Sequence, residues 1–184
     1  MSYGRPSSQG DMTPSQQAAE PSLVERPERP YAGIRASVTM DTIGEIADRI
    51  REIFAWLAAR GIEPTGAPFL RYHVIDMANR MDMEAGVPTA AVPEGEPGGD
   101  IFGGALPAGR YATVAHHGHP DDLVDVTEAL LDWATDQGLT WDAWDTPEGH
   151  AWRCRLEEYL TDPAEEPDMS RWDTVLAFRL ADGA

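Results

Sequence analysis

The sequence predicts an α+β fold made of two βαββ units with pseudo-two-fold symmetry. It would have an antiparallel sheet, two helices on one face and a cleft between the repeats. Three observations carry this. The order strand–helix–strand–strand can be read twice along the chain. The two predicted helices end alike: Trp56-Leu57-Ala58-Ala59-Arg60-Gly61-Ile62 parallels Trp133-Ala134-Thr135-Asp136-Gln137-Gly138-Leu139. A length of 184 residues suits one domain rather than two.

Residues 1–22 are rich in Ser, Gln, Pro and Gly and show no apolar period, which predicts a disordered tail. The domain is then expected over 23–184, with repeat one over 31–91 and repeat two over 109–180. The stretch after Pro30 reads as a strand. Thr42 and Glu45 have the spacing of a capping box, and Ile43, Ile46, Ile50, Ile53, Phe54 and Leu57 then recur on one helical face. Gly61 ends that helix by tolerating positive φ. Strands are predicted over 69–75 and 80–91, followed by a Gly/Glu/Pro loop through Asp100.

The pattern restarts with a strand over 110–117. Pro120 suits a first helical position, with Asp121 and Asp122 favourable on the helix dipole. Leu123, Val126, Leu130 and Trp133 form the second amphipathic face, closed by Gly138. Strands over 152–160 and 174–180 complete the unit. The sheet face opposite the helices, where the two units meet, is the expected cleft, and such junctions are where small molecules bind.

Fourteen Lys and Arg against 32 Asp and Glu leave a net charge of −18. Such a field repels the phosphates of nucleic acid and the surface of an anionic membrane, so neither is an expected partner. No run reaches the roughly 20 apolar residues of a membrane span. Cys154 stands alone, which excludes an intramolecular disulfide and suits a cytoplasmic location.

The aromatic residues divide by position. Trp56 and Trp133 sit on core stripes, and Trp172 reads as packing. Trp141 and Trp144 lie in a polar loop and, with Trp152, are candidates for a wall or lid over the cleft. His116, His117 and His119 lack converging partner ligands, so no metal site is expected. Cys154 reads as a small buried residue, because no base or oxyanion motif marks it as a nucleophile. Arg71, Arg153 and Arg155 are expected to pair with the abundant carboxylates. Glu157 and Glu158 alternate along a strand and must face opposite ways.

Three segments carry a resemblance. They are Pro68-Phe69-Leu70-Arg71-Tyr72-His73 followed by Asp82 to Pro88, Leu106-Pro107-Ala108-Gly109-Arg110-Tyr111 leading to His117-Gly118, and Arg155-Leu156-Glu157-Glu158-Tyr159-Leu160-Thr161-Asp162-Pro163. In this order they resemble the GyrI-like small-molecule-binding domain, also found as the effector-binding half of some MerR-type and AraC-type transcription regulators. The resemblance implies a stand-alone, multidrug-type binding domain. Its cleft would be lined with aromatic residues around a carboxylate, for aromatic, lipophilic, cationic guests. It maps the carboxylate to Glu157 and the strand tyrosines to Tyr72 and Tyr159. Tyr111 and the three loop-region tryptophans join them as expected ligand contacts. No cofactor is implied. Gly118-His119-Pro120 replaces the family's Gly-Pro-Tyr, and no helix-turn-helix precedes the domain, so a regulator role is not expected.

Some family members hydrolyse strained electrophilic rings. That alternative gives Glu157 the role of general base and Tyr72 that of proton donor. A third reading, an acidic protein-interaction module, rests on the charge alone.

Overall fold

The computed structural model describes residues 19–183. Ten strands are hydrogen-bonded into one sheet. They are β1 (Ser22–Arg26), β2 (Arg29–Val38), β3 (Phe69–Ile75), β4 (Met81–Pro88), β5 (Phe102–Leu106), β6 (Gly109–His117), β7 (Ala143–Thr146), β8 (Gly149–Trp152), β9 (Arg155–Tyr159) and β10 (Asp173–Arg179). The helices are α1 (Ile43–Asp48), α2 (Ile50–Ala59) and α3 (Leu123–Asp136). The strand order is β1-β6-β10-β9-β3-β4-β2-β5, with the β7–β8 hairpin attached through β8 to β3. Within it, β6-β10-β9 mirrors β2-β4-β3. The pseudo-two-fold relation therefore passes between β9 and β3, and the duplicated α+β architecture is as the sequence predicts.

The two ends of that order are joined by chain. β1 pairs with β6 from Ser22↔Thr113 to Arg26↔Gly109, and β2 pairs with β5 from Arg29↔Leu106 to Gly33↔Phe102. The register runs through both pairings without a slip, so residues 22–33 and 102–113 form one continuous antiparallel ribbon. Since β1 and β2 lie at opposite ends of the order, this ribbon curls the sheet on itself.

Curling gives the sheet an inside and an outside. The inside holds Tyr31, Phe69, Leu106, Tyr111, Cys154, Leu156 and Ala177, all buried. Gly86 is fixed there by contact, because a Cβ would stand 2.2 Å from the Phe69 ring. The face away from the helices is thus a packed interior, and the cleft expected on it is absent. The outside carries two cores. One packs Ile46, Ile53 and Leu57 of α1 and α2 on Ile34, Leu70, Met81, Met83 and Val87. The other packs Leu123 and Leu130 of α3 on Val114, Leu176, Phe178 and Leu180.

Ile75 touches both cores. It does so because the β3–β4 register shifts between Tyr72 and Val74. The extra residue, His73, resets the alternation, so Leu70, Tyr72 and Ile75 all face the helices.

The helix ends match the sequence expectation in detail. Gly61 and Gly138 have φ of 65° and 69°. In each, a backbone N–H past the glycine returns to the last turn, Ile62 to Leu57 at 3.0 Å and Leu139 to Ala134 at 2.9 Å. The helix start differs. The capping box joins Thr39 and Thr42 around a short 3-10 turn, rather than Thr42 and Glu45. The first helix is also interrupted at Arg49, which leaves Phe54 37% exposed instead of on the buried face.

The sequence reading also drew strand 152–160 as one piece. It is two, because β8 follows the upper part of β3 while β9 lies between β3 and β10. Residues 1–18 of the expected tail lie outside the described residues. Its last residue, Ser22, belongs to β1, where its hydroxyl meets that of Thr113 at 3.2 Å.

Candidate functional site

The two central strands, β9 and β3, bring the site together. On β9, alternation places Arg155, Glu157 and Tyr159 on the helix side and Leu156 and Glu158 on the inside. Leu70 lies directly across from Glu157 on β3, and Leu176 across from it on β10. Glu157 therefore sits at the seam between the two outer cores. Tyr72 donates its hydroxyl to Oε1 of Glu157 at 2.8 Å, and Tyr159 donates to Oε2, also at 2.8 Å. Glu157 is half-buried and both tyrosines are deeply packed. Burial, then the adjacent Glu157 charge, hold both phenols well above their ordinary pKa. They stay protonated and act as donors throughout the physiological range.

Arg155 adds a cation to the same face. Its guanidinium carbon lies 4.5 Å from the Phe178 ring centroid, 5.1 Å from Trp152 and 5.4 Å from Tyr72. Burial lowers its pKa, while the negative charge of Glu157 on the same face opposes that shift. The sequence reading expected a carboxylate partner for this arginine. The structure gives it an aromatic surround instead, while the two tyrosine hydroxyls orient Glu157.

The remaining expected contacts separate. Trp152 is 4% exposed and joins Trp141 at 5.5 Å and Phe178 at 5.5 Å. Both tryptophans thus belong to the aromatic cluster beside Arg155. Trp144 projects outward at 44% exposure, beneath the Arg153 guanidinium, and is not part of the cluster. Tyr111 is a correction. It lies inside the curled sheet with its hydroxyl on the Pro107 carbonyl at 2.6 Å. It is the repeat counterpart of Tyr31, each standing two residues into its strand, and both fill the interior.

The histidines serve local contacts. His117 pairs with Asp173 at 2.8 Å, His119 accepts the Asp121 N–H at 3.2 Å, and His116 meets the His119 carbonyl at 3.1 Å. Among the described residues, no three His, Cys, Asp or Glu side chains converge on a point. Two surface depressions, of about 250 and 270 Å³, lie at Gly109–Asp182 and against α3 respectively. Neither reaches Glu157. Among the described residues, no helix is long and apolar enough to cross a membrane.

A curled, duplicated α+β sheet with a tyrosine-bracketed carboxylate at the seam of its halves defines a class of ligand-binding domain. The chain belongs to the family described as the GyrI-like small-molecule-binding domain, which it matches over residues 19–179. Solved structures share the fold. The EcmrR C-terminal domain is 22% identical with a TM-score of 0.69, covering 90% of this chain and 99% of that one. In an EcmrR–DNA complex the TM-score is 0.70, and this chain spans 58% of the EcmrR chain's length. A hydrolase from Listeria innocua is 14% identical with a TM-score of 0.63, covering 89% and 92%. SAV2435 bound to tetraphenylphosphonium is 11% identical with a TM-score of 0.55, covering 89% and 94%. No match is found among curated proteins.

Proposed function

We propose that this chain is a multidrug-type binding protein for aromatic, lipophilic, cationic small molecules, with Glu157 as the charge that receives the cation. The observation that carries this reading is the geometry of Glu157. Two tyrosine hydroxyls fix its orientation and each occupies one oxygen, yet a carboxylate offers about four lone-pair sites. Two remain for a guest. Tyr72 beside it, and Trp152, Trp141 and Phe178 around the neighbouring Arg155, supply flat apolar surface, where burial provides most of the affinity. The tetraphenylphosphonium complex of SAV2435 supports a bulky aromatic cation as the guest class. In this reading the protein acts in the cytoplasm, and its −18 charge keeps it from touching nucleic acid itself.

The test is Glu157→Gln, which keeps shape and removes charge. Affinity for tetraphenylphosphonium should fall by about 1–3 kcal/mol, the scale of a charge-assisted contact. Affinity for a neutral aromatic of similar shape should hold. Equal loss for both would show that Glu157 acts through packing, and the reading would fall.

A hydrolytic reading draws on one contact, the 2.8 Å hydrogen bond from Tyr72 to Glu157. A carboxylate that orients water beside a phenol that stays protonated is a base–acid pair. In that case Glu157→Gln abolishes turnover of a strained electrophile while leaving its binding intact. Loss of binding with no turnover in the unmodified protein speaks for the binding protein.

A further inference from the structure

The site that receives the cation also holds two unanswered donors. Nε of Arg155 and Nε1 of Trp152 are both buried with no hydrogen-bond partner. The two groups adjoin, the guanidinium carbon being 5.1 Å from the Trp152 ring centroid. No protein acceptor takes any Arg155 N–H among the described residues, and Arg155 forms no ion pair with Glu157 despite sharing its strand face. Buried donors without acceptors are rare and costly, more so when the donor is charged. Removing a cation from water into an aromatic surround offsets only part of that cost. Glu157 is turned toward Tyr72 and Tyr159, whose hydroxyls orient its two oxygens at 2.8 Å, and it forms no hydrogen bond or ion pair with Arg155. A guest that carries an acceptor to this point answers both Nε of Arg155 and Nε1 of Trp152.

From this we infer that the ligand is a dipolar aromatic. Its cationic end meets Glu157, and an anionic or strongly accepting end, such as a carboxylate, phenolate or sulfonate, meets Arg155 and Trp152. The inference rests on the binding reading above and narrows it. Arg155 and Glu157 are two residues apart on one strand, about 7 Å along the backbone. A fused bicyclic ring with charges at its two ends has the span to meet both. A purely cationic guest would satisfy Glu157 but leave Nε of Arg155 and Nε1 of Trp152 unanswered, and would set one cation beside another.

The experiment uses a matched pair: the betaine N-methylquinolinium-6-carboxylate, whose charges lie on its two rings, and its methyl ester, which lacks the negative charge. Binding to the full chain is followed by calorimetry. The betaine should bind about tenfold more tightly than the ester, the scale of one charge-assisted hydrogen bond. Arg155→Met keeps a long apolar stem and removes the donors. It should erase that preference and tighten the ester. Arg155→Lys, which keeps the charge, should retain a reduced preference and guards against a variant that fails to fold. If the ester binds the unmodified protein as well as the betaine does, the dipolar inference is overturned while the aromatic-cation reading stands. If neither binds while tetraphenylphosphonium does, the dipolar inference falls and the aromatic-cation reading stands; if tetraphenylphosphonium also fails to bind, that reading falls as well.

Discussion

Glu157 and Glu158 are neighbours in the chain and stand on opposite sides of the sheet, one in the tyrosine-bracketed seam and the other inside the curl. Glu158 is 6% exposed and accepts from both Arg26 guanidinium nitrogens at 3.0 Å, with Arg29 as a second partner. It ties β1 and the start of β2 to the central strand β9. The two carboxylates should therefore respond differently to the same substitution. Burial alone would raise the Glu158 carboxyl, but the hydrogen bond and charge of Arg26, with Arg29, outweigh it and hold the group below its usual value. A depressed folded pKa contributes stability above the unfolded carboxylate range, and the contribution disappears as pH falls through the folded value. Glu158→Gln should cost about 3 kcal/mol at neutral pH, because it strands two arginines. It should also flatten the acid limb of the stability profile. Glu157→Gln should leave thermal stability within about 1 kcal/mol, losing only part of two hydrogen bonds. Urea unfolding across pH 4 to 8 reads both.

A second expectation concerns the phenols. Tyr31, Tyr72, Tyr111 and Tyr159 are all shifted upward, with burial the main cause in each. Raised folded values mean that their contribution is complete below the unfolded tyrosine pKa near 10 and is lost as pH rises beyond it. Ultraviolet titration at 295 nm should show these four silent while the protein is folded. They should then ionise together with loss of tertiary structure. Four independent titrations near pH 10 would contradict the packing described for them.

Cys154 should be inert to thiol reagents in the folded protein. It is fully buried inside the curl, and burial pushes its thiol up, with Arg71, Tyr111, Arg29 and Arg26 only partly opposing this. An aromatic disulfide reagent should label it within seconds in denaturant. In native buffer labelling should proceed only at the rate of opening. Rapid native labelling would mean that the interior is accessible.

Truncation separates tail from fold. Removing residues 1–18 should leave the thermal midpoint unchanged, as their composition suggests. Removing residues 1–26 takes away β1 and Arg26. The midpoint should then fall by several degrees, the consequence of losing a strand pairing and half of the Glu158 salt bridge. Calorimetric scans of the two truncations compare them directly.

What the sequence could and could not convey follows from element length and local chemistry. Both amphipathic helices, their glycine stops and the six strands of the two repeats have enough residues to show a period. β1 and β5 do not. Ser22–Arg26 is broken off by Pro27, and Phe102-Gly103-Gly104-Ala105-Leu106 has glycines where a strand would show branched residues. Gly104 is required because the Tyr31 ring packs on it, leaving 2.7 Å to an added Cβ, and Gly103 because the Pro93 carbonyl lies against it. These are contacts only the fold reveals. Glu157, Tyr72 and Tyr159 came from the family resemblance, and strand alternation alone would have grouped Glu157 with Tyr159. The same alternation puts Arg155 with them. It went unassigned because arginine in so acidic a chain invites a surface pairing. Tyr111 was misplaced because an aromatic near a strand start does not declare its face, and the curl decides that face.

The ribbon joining residues 22–33 to 102–113 has a consequence for ancestry. Each half of the chain lends its leading strand to the other, so one half alone keeps an unpaired edge and an orphaned strand. Two identical copies of a half, swapping leading strands about a dyad, would close every edge in the way this chain does. The present fold has the topology that such a swapped homodimer would have if a linker, here the loop from Thr89 to Ile101, joined its subunits. Fusion lets the two halves diverge, so that one side of the dyad keeps Tyr72 while the other supplies Arg155 and Glu157. A strict homodimer would be obliged to present the same groups twice.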